Sequence, residues 1–226
     1  LPPGGSPTVK TFSSDTGVDV DYGIGRHQGQ DWLMTPSGPL LPVDEVGVPG
    51  RHNVANALAA AAMAEVHGLE LEVISVGLRE FKGLEHRCQL VSCAGGRRWI
   101  NDSKATNVGA TRAAVQGLAA DGPIILIAGG QGKGGDFSPL NDVARDAVRY
   151  AVLIGEDAPL IRDALDTSCE MIDAPDMRAA VRIARDLAQA GDTVLLSPAC
   201  ASFDMYDNYQ ARGRDFVACV QAEVGL

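Results

Sequence analysis

Residues 124–140, "IILIAGGQGKGGDFSPL", run an apolar stretch into a glycine-rich turn with Lys133 at its centre. A lysine among glycines raises phosphate chemistry first. A Walker loop has a glycine five residues before the Gly-Lys pair and a Ser or Thr after the lysine. Here those places hold Ile127 and Gly134, so no hydroxyl is offered to magnesium. Gly130, Gly132 and Gly135 match GxGxxG. A lone match is weak, and no acidic residue closes the next apolar run before Gly155. The turn therefore reads as neither nucleotide loop. It holds one ammonium over a strand end and suits a carboxylate better than a triphosphate. The plainer alternative is a glycine turn with a solvated lysine.

"RWINDSKATN", residues 98–107, is the densest polar cluster. Asp102 could accept from ribose hydroxyls, and Lys104 could neutralise phosphate. Thr106 and Asn107 stand at a helix entrance, where free backbone N–H groups favour an anion. An Asx-type turn with a helix cap is the plainer alternative. "LLSPACASFDMYDNY", residues 195–209, brings Ser197, Ser202 and Asp204 after the last apolar run. Cys200 reads as a small buried thiol, because no base is fixed beside it. Ser103 next to Lys104 lacks the SxxK spacing of Ser–Lys acyl chemistry. His27, His52, His67 and His86 show no ligand spacing and argue against zinc.

The elements that must position these groups are legible from residue 85 onward. "CQLVSC" and "RRWIN" flank "AGG" as a hairpin. Helix and strand then alternate. Helices are expected at about 108–118, after Pro139, at about 159–165, 177–190 and 208–222. The strands are "PIILIAG", "YAVLIG", "CEMID" and "DTVLLSP". Apolar strands alternating with helices predict an α/β fold: a Rossmann-like, mainly parallel sheet with helices on both faces. Ligands of such sheets sit beyond the strands' carboxyl ends. Residues 1–50 differ. "TVKTFSS", "VDVDYGI" and "DWLMT" read as short strands between turns. A helix capped by Asn53 should follow and end at Gly68, with Leu58, Ala62 and Val66 sharing a face. A second helix is expected over 71–81.

The net charge of −10 opposes a general affinity for nucleic acid or anionic membrane. Five cysteines, odd in number and without CxxC spacing, read as reduced thiols of a cytoplasmic protein. No apolar run is long enough to span a membrane, and no signal peptide is visible. A chain of 226 residues fits one large domain or two small ones. The opening "LPPGGSP" suggests a piece of a longer protein.

"GRHNVANALAA", "GLEHR", "WINDSKATNVGAT", "GGQGKGGDFSPL" and "LLSPACASFDMYDNYQARGRDF" occur in that order. Together they closely resemble the UDP-N-acetylmuramoyl-L-alanine:D-glutamate ligase family of peptidoglycan synthesis. The K-x-x-D-F form of the lysine loop points to this family rather than to its sister Mur ligases or folylpolyglutamate synthase. The family has three domains. The resemblance implies that residues 1–84 are the tail of the central ATP-binding domain, an incomplete α+β remnant. It implies that residues 85–226 are the whole carboxyl-terminal domain. The UDP-binding domain, the phosphate loop and the Mg2+ ligands would lie upstream of Leu1, leaving this chain inactive alone.

By the same resemblance, Asn53 and Asn56 take the adenine side. Arg87, Asp102 and Lys104 serve ATP, on phosphate and ribose. Thr106, Lys133, Ser202, Phe203 and Tyr209 form the pocket for glutamate; the family often has Phe at position 209. The catalytic charges would be Arg87, Lys104 and Lys133, and no metal ligand is expected in this chain. The implied reaction phosphorylates the alanine carboxylate of the UDP-sugar with ATP, and the D-glutamate amine then displaces phosphate. The implied protein is a cytoplasmic enzyme, monomeric at full length, with small-molecule substrates and neither nucleic acid nor membrane as partner. The rival readings are a non-catalytic nucleotide-binding or regulatory α/β module, and another Mur or folylpolyglutamate-type amide ligase.

Overall fold

The structure, a computed structural model, describes residues 9–48, 50–165 and 167–225; the opening "LPPGGSPT" lies outside them. The chain divides into two compact units, up to Lys82 and from Gly83 onward.

The first unit holds an antiparallel sheet of β1 (Gly23–His27), β2 (Gln30–Thr35) and β3 (Gly38–Pro42). Helices α1 (Arg51–Val66) and α2 (Leu71–Glu80) complete it. Leu33, Leu41, Leu58, Ala61 and Ile74 form its core. Three expectations are corrected here. "TVKTFSS" is no strand among the described residues; Phe12 makes only an isolated bridge to Tyr22. Asn53 does not cap α1. Gly50, at φ 104°, takes that place, a conformation open to glycine at little cost, and Asn53 donates its backbone N–H to the Gly50 carbonyl inside the first turn. Val66 does not share the buried face: Leu58 is wholly buried, but Val66 is 61% exposed at the helix end. The strand "GPLLP" was not expected, because two prolines obscure the alternation.

The second unit carries β4 (Gln89–Ser92), β5 (Arg98–Asn101), α3 (Val108–Leu118), β6 (Ile124–Gly129), α4 (Leu140–Ala147) and β7 (Val148–Ile154). It continues with α5 (Ala158–Leu165), β8 (Glu170–Asp173), α6 (Met177–Leu187), β9 (Thr193–Leu196) and α7 (Tyr209–Val224). The sheet order is β4-β5-β9-β6-β7-β8, parallel throughout except the β4–β5 hairpin. Alternation along the strands builds two cores. Leu126, Ala128, Leu153 and Leu195 face α3, α4 and α5. Ile125, Ile127, Val152, Val194 and Leu196 face α6 and α7.

Asn107, Asp176 and Asn208 cap α3, α6 and α7 by accepting a backbone N–H three residues on. Helix α6 stops at Leu187, short of the expected residue 190, because Ala188 turns extended. The chain steps outward from β5 past β9's place to β6, β7 and β8, then returns to insert β9 between β5 and β6. The winding reverses there, and the loops after β5, β6 and β9 leave three adjacent strands at one edge. Such a reversal is where parallel sheets bind ligands.

Candidate functional site

The three polar segments singled out by sequence are these three loops. The loop after β5 carries Asp102, Ser103, Lys104 and Thr106; the turn after β6 carries Lys133; the loop after β9 carries Ser202 and Phe203. Hydrogen bonds weld them. Gln131 and Ala201 exchange backbone bonds of 3.0 and 2.9 Å, tying the Lys133 turn to the Ser202 loop. Arg212, on the first turn of α7 and 1% exposed, ties that loop to the next. Its guanidinium donates to the carbonyls of Cys200 and Ala201, at 3.1 and 3.2 Å. It also donates to the Ser103 carbonyl at 2.9 Å and the Ser103 hydroxyl at 3.0 Å. Burial lowers its pKa to about 10, so it stays charged at neutral pH.

Asp102 is 7% exposed. One oxygen accepts the Cys88 N–H at 3.1 Å and the other the Ser197 hydroxyl at 2.9 Å. Burial pushes its carboxyl up to about 6, against the pull of both bonds and of the Arg87 charge. The ribose contact expected of Asp102 would have to use lone pairs that these two bonds leave over. Cys200 is fully buried and its thiol is pushed up to about 12 by burial, as befits a packing residue.

The loop before β4 is built on His86. Burial holds its imidazole below the usual range and therefore neutral. Nδ1 lies 3.0 Å from Asn101 Nδ2, which also donates to the Gly213 carbonyl. The Lys104 N–H donates to the His86 carbonyl at 3.0 Å. Arg87, next in sequence, is thereby set beside the Asp102–Lys104 loop with its own side chain exposed.

Five of the side chains expected to touch ligand, Arg87, Lys104, Thr106, Lys133 and Ser202, are uncommitted. Arg87, Lys104 and Lys133 make no ion pair among the described residues, and the hydroxyls of Thr106 and Ser202 make no hydrogen bond there. Lys104 Nζ sits 4.2 Å from the centre of the Tyr209 ring, and Lys133 Nζ 5.2 Å from that of Phe203. Each aromatic face steadies an ammonium without neutralising it. Phe203 is 62% exposed, unusual for a phenylalanine.

Asn53 and Asn56 stand in the first unit on α1, where Asn56 Nδ2 donates to Asn53 Oδ1 at 3.3 Å. Sequence reasoning missed Arg212, His86, Asn101 and Asp157. For Arg212 a signal existed: it falls on the buried stripe of α7 with Phe216, Cys219 and Val220, and a charge on an apolar stripe needs partners.

Residues 86–200, half of the chain, match the family model described as Mur ligase, glutamate ligase domain. The chain belongs to the Mur ligase family. Among curated relatives, the UDP-N-acetylmuramoylalanine–D-glutamate ligase of Methylococcus capsulatus is 52% identical over 211 residues, 93% of this chain and 46% of that protein. The ligase of that name from Acinetobacter baylyi is 45% identical over 225 residues, 97% of this chain and 50% of that protein. The chain thus spans about half the length of the curated relatives it matches.

Solved Mur-type structures share the fold. The UDP-N-acetylmuramate–alanine ligase of Thermotoga maritima superposes with TM-score 0.61 at 18% identity, covering 94% of this chain and 48% of that one. A bifunctional folylpolyglutamate synthase/dihydrofolate synthase from Yersinia pestis, complexed with AMPPNP and a manganese ion, gives TM-score 0.61 at 25% identity, covering 92% of this chain and 47% of that one. No helix among the described residues is long and apolar enough to cross a membrane.

Proposed function

We propose that this chain is the carboxyl-terminal half of an ATP-dependent ligase that joins D-glutamate to UDP-N-acetylmuramoyl-L-alanine in peptidoglycan synthesis. One observation carries the reading. Three uncommitted cations and two uncommitted hydroxyls line one edge of a parallel sheet, in a protein of net charge −10. Cations left unpaired amid excess carboxylates suit an anionic ligand from outside.

The assignment follows the charges. Glutamate brings two carboxylates, and Lys133, Thr106 and Ser202 offer an ammonium and two hydroxyl donors. Phe203 and Tyr209 wall the pocket and hold the two ammonium groups. Arg87 and Lys104 face the transferring phosphoryl group and offset its charge. Asp102 sets the loop that carries Lys104 and takes the ribose side. Asn53 and Asn56, on the first unit, supply amide groups to the adenine.

In the reaction, the alanine carboxylate oxygen attacks the γ-phosphorus and ADP leaves. The glutamate amine then attacks the acyl carbon, the C–O bond to phosphate breaks, and the amine's protons pass to base or solvent. No residue of this chain need form a covalent bond; its work is orientation and charge. Magnesium would neutralise the phosphates when bound. The described residues include no group of three or more His, Cys, Asp or Glu side chains that could hold a metal ion.

Two measurements test the reading. In the full-length gene product, Lys133→Ala should raise the KM for D-glutamate by about a hundredfold, the worth of a lost charge-assisted contact. It should leave the KM for ATP within about twofold. An unchanged glutamate KM would refute the assignment of Lys133. Purified residues 1–226 should form no amide product from the three substrates, and measurable turnover by that chain would overturn the division of labour.

A further inference from the structure

The Lys133 turn is glycine-rich and should be loose, yet one carboxylate beneath it fixes it. Asp157, at the start of α5, accepts the Gly132 N–H on Oδ2 at 2.6 Å, a short charge-assisted bond. Its own backbone N–H donates to the Gly130 carbonyl at 3.0 Å. The residue before the lysine is thus bonded to Asp157, and the turn is clamped on both sides of Gln131. Phe137, 4% exposed, packs so closely under Gly132 that a Cβ there would lie 2.6 Å from its ring. Lys133 itself adopts φ 53°, a left-handed conformation held by its neighbours rather than by its own preference.

The clamp closes into a ring. Asp204, two residues past Ser202, accepts the Glu156 N–H at 2.9 Å, next to Asp157. The Ser202 loop bonds back to the Lys133 turn through the Gln131–Ala201 pair. Gly155 lets the three segments meet: a Cβ there would lie 2.5 Å from Asp204 Oδ2 and 2.7 Å from the Gly130 Cα. Two aspartates and one backbone bridge therefore fix Lys133 relative to Ser202.

We propose that Asp157 is a positioning residue for the amino-acid site: by holding the Gly132 N–H it sets where the Lys133 ammonium meets the glutamate carboxylate. This rests on the reading of Lys133 as a glutamate ligand. Asp157 acts through the turn, so its loss should tax substrate placement and leave the nucleotide side alone.

The test is steady-state kinetics on the full-length ligase with Asp157→Ala, Asp157→Asn, Lys133→Ala and the Asp157→Ala/Lys133→Ala pair. Asp157→Ala should raise the glutamate KM about ten- to a hundredfold, the scale of a group misplaced by an ångström, with the ATP KM within about twofold. Asp157→Asn should recover most of this, because its amide oxygen still accepts the Gly132 N–H. On the Lys133→Ala background, Asp157→Ala should add nothing further to the glutamate KM.

If Lys133→Ala raises the KM and Asp157→Ala does not, the proposal falls and the Lys133 reading stands. If the two effects multiply in full, Asp157 acts by another route and the proposal falls. If Lys133→Ala leaves the KM unchanged, the reading beneath the proposal falls with it. Should Asp157→Ala fail to fold, Asp157→Glu keeps the charge but displaces the acceptor by one methylene. An intermediate rise in glutamate KM supports the clamp, and a wild-type KM overturns it.

Discussion

Burial pushes the Asp102 carboxyl up to about 6, while the Ser197 hydroxyl, the Cys88 N–H and the Arg87 charge pull it down. A raised folded-state value means that the folded protein holds this proton more tightly than the unfolded chain. The associated stability is complete below about pH 4 and is lost as pH rises through about 6, on the order of 3 kcal/mol. Asp21, Asp136 and Glu223 are shifted the other way by hydrogen bonds, so they add stability above their ordinary range and lose it in acid. Only a difference measurement isolates Asp102. Urea titrations between pH 4 and 7 should show Asp102→Asn gaining stability over the wild type as pH rises. An Asn can still accept from Cys88 and donate to Ser197. A difference that stays flat with pH would show that the carboxyl titrates normally.

At the scale of elements, α7 reaches the site because Gly213 brings it onto His86. A Cβ at position 213 would lie 2.3 Å from His86 Nδ1, an impossible contact. The carbonyl of Gly213 meanwhile accepts from Asn101, whose amide also meets His86. Gly213→Ala should therefore push α7 and the His86 loop apart and cost about 2 kcal/mol, visible in the denaturation midpoint. Arg87 follows His86, so under the proposed assignment of Arg87 to the phosphoryl group the same variant should weaken ATP use more than glutamate binding in the full-length gene product. Equal loss of both would place the damage in the whole sheet rather than in this contact.

For the whole molecule, the two units differ in how much they bury. The unit from Gly83 encloses its sheet between two apolar cores. The first unit has one core and exposes large apolar side chains: Met63 is 65%, Val66 61% and Val73 58% exposed. Less apolar burial per residue means less stability to offset chain entropy. Native-state hydrogen exchange should therefore find the amides of α1 and α2 opening at lower free energy than those of β6 and β9. Equal protection in both units would contradict this.

The sequence by itself determined the second unit's alternation of strands and helices, since runs such as "IILIAG" and caps such as Asn107 and Asn208 act within a few residues. It also pointed to Lys104, Thr106, Lys133 and Ser202, because polar groups cluster after apolar runs and the motifs that carry them resemble those of a ligase family. It misread α1's start, where Gly50 outcompeted Asn53, and it overlooked "GPLLP" between its prolines. Only the tertiary structure decided that β9 inserts between β5 and β6, which sets the three loops side by side. Only it revealed Arg212 and Asp157 as the groups that hold those loops. The physical reason is range. Periodicity and capping are local, whereas Arg212 bonds Ser103 across 109 positions and Asp157 bonds Gly132 across 25. Such bonds leave no pattern in the chain until the sheet has brought their partners together.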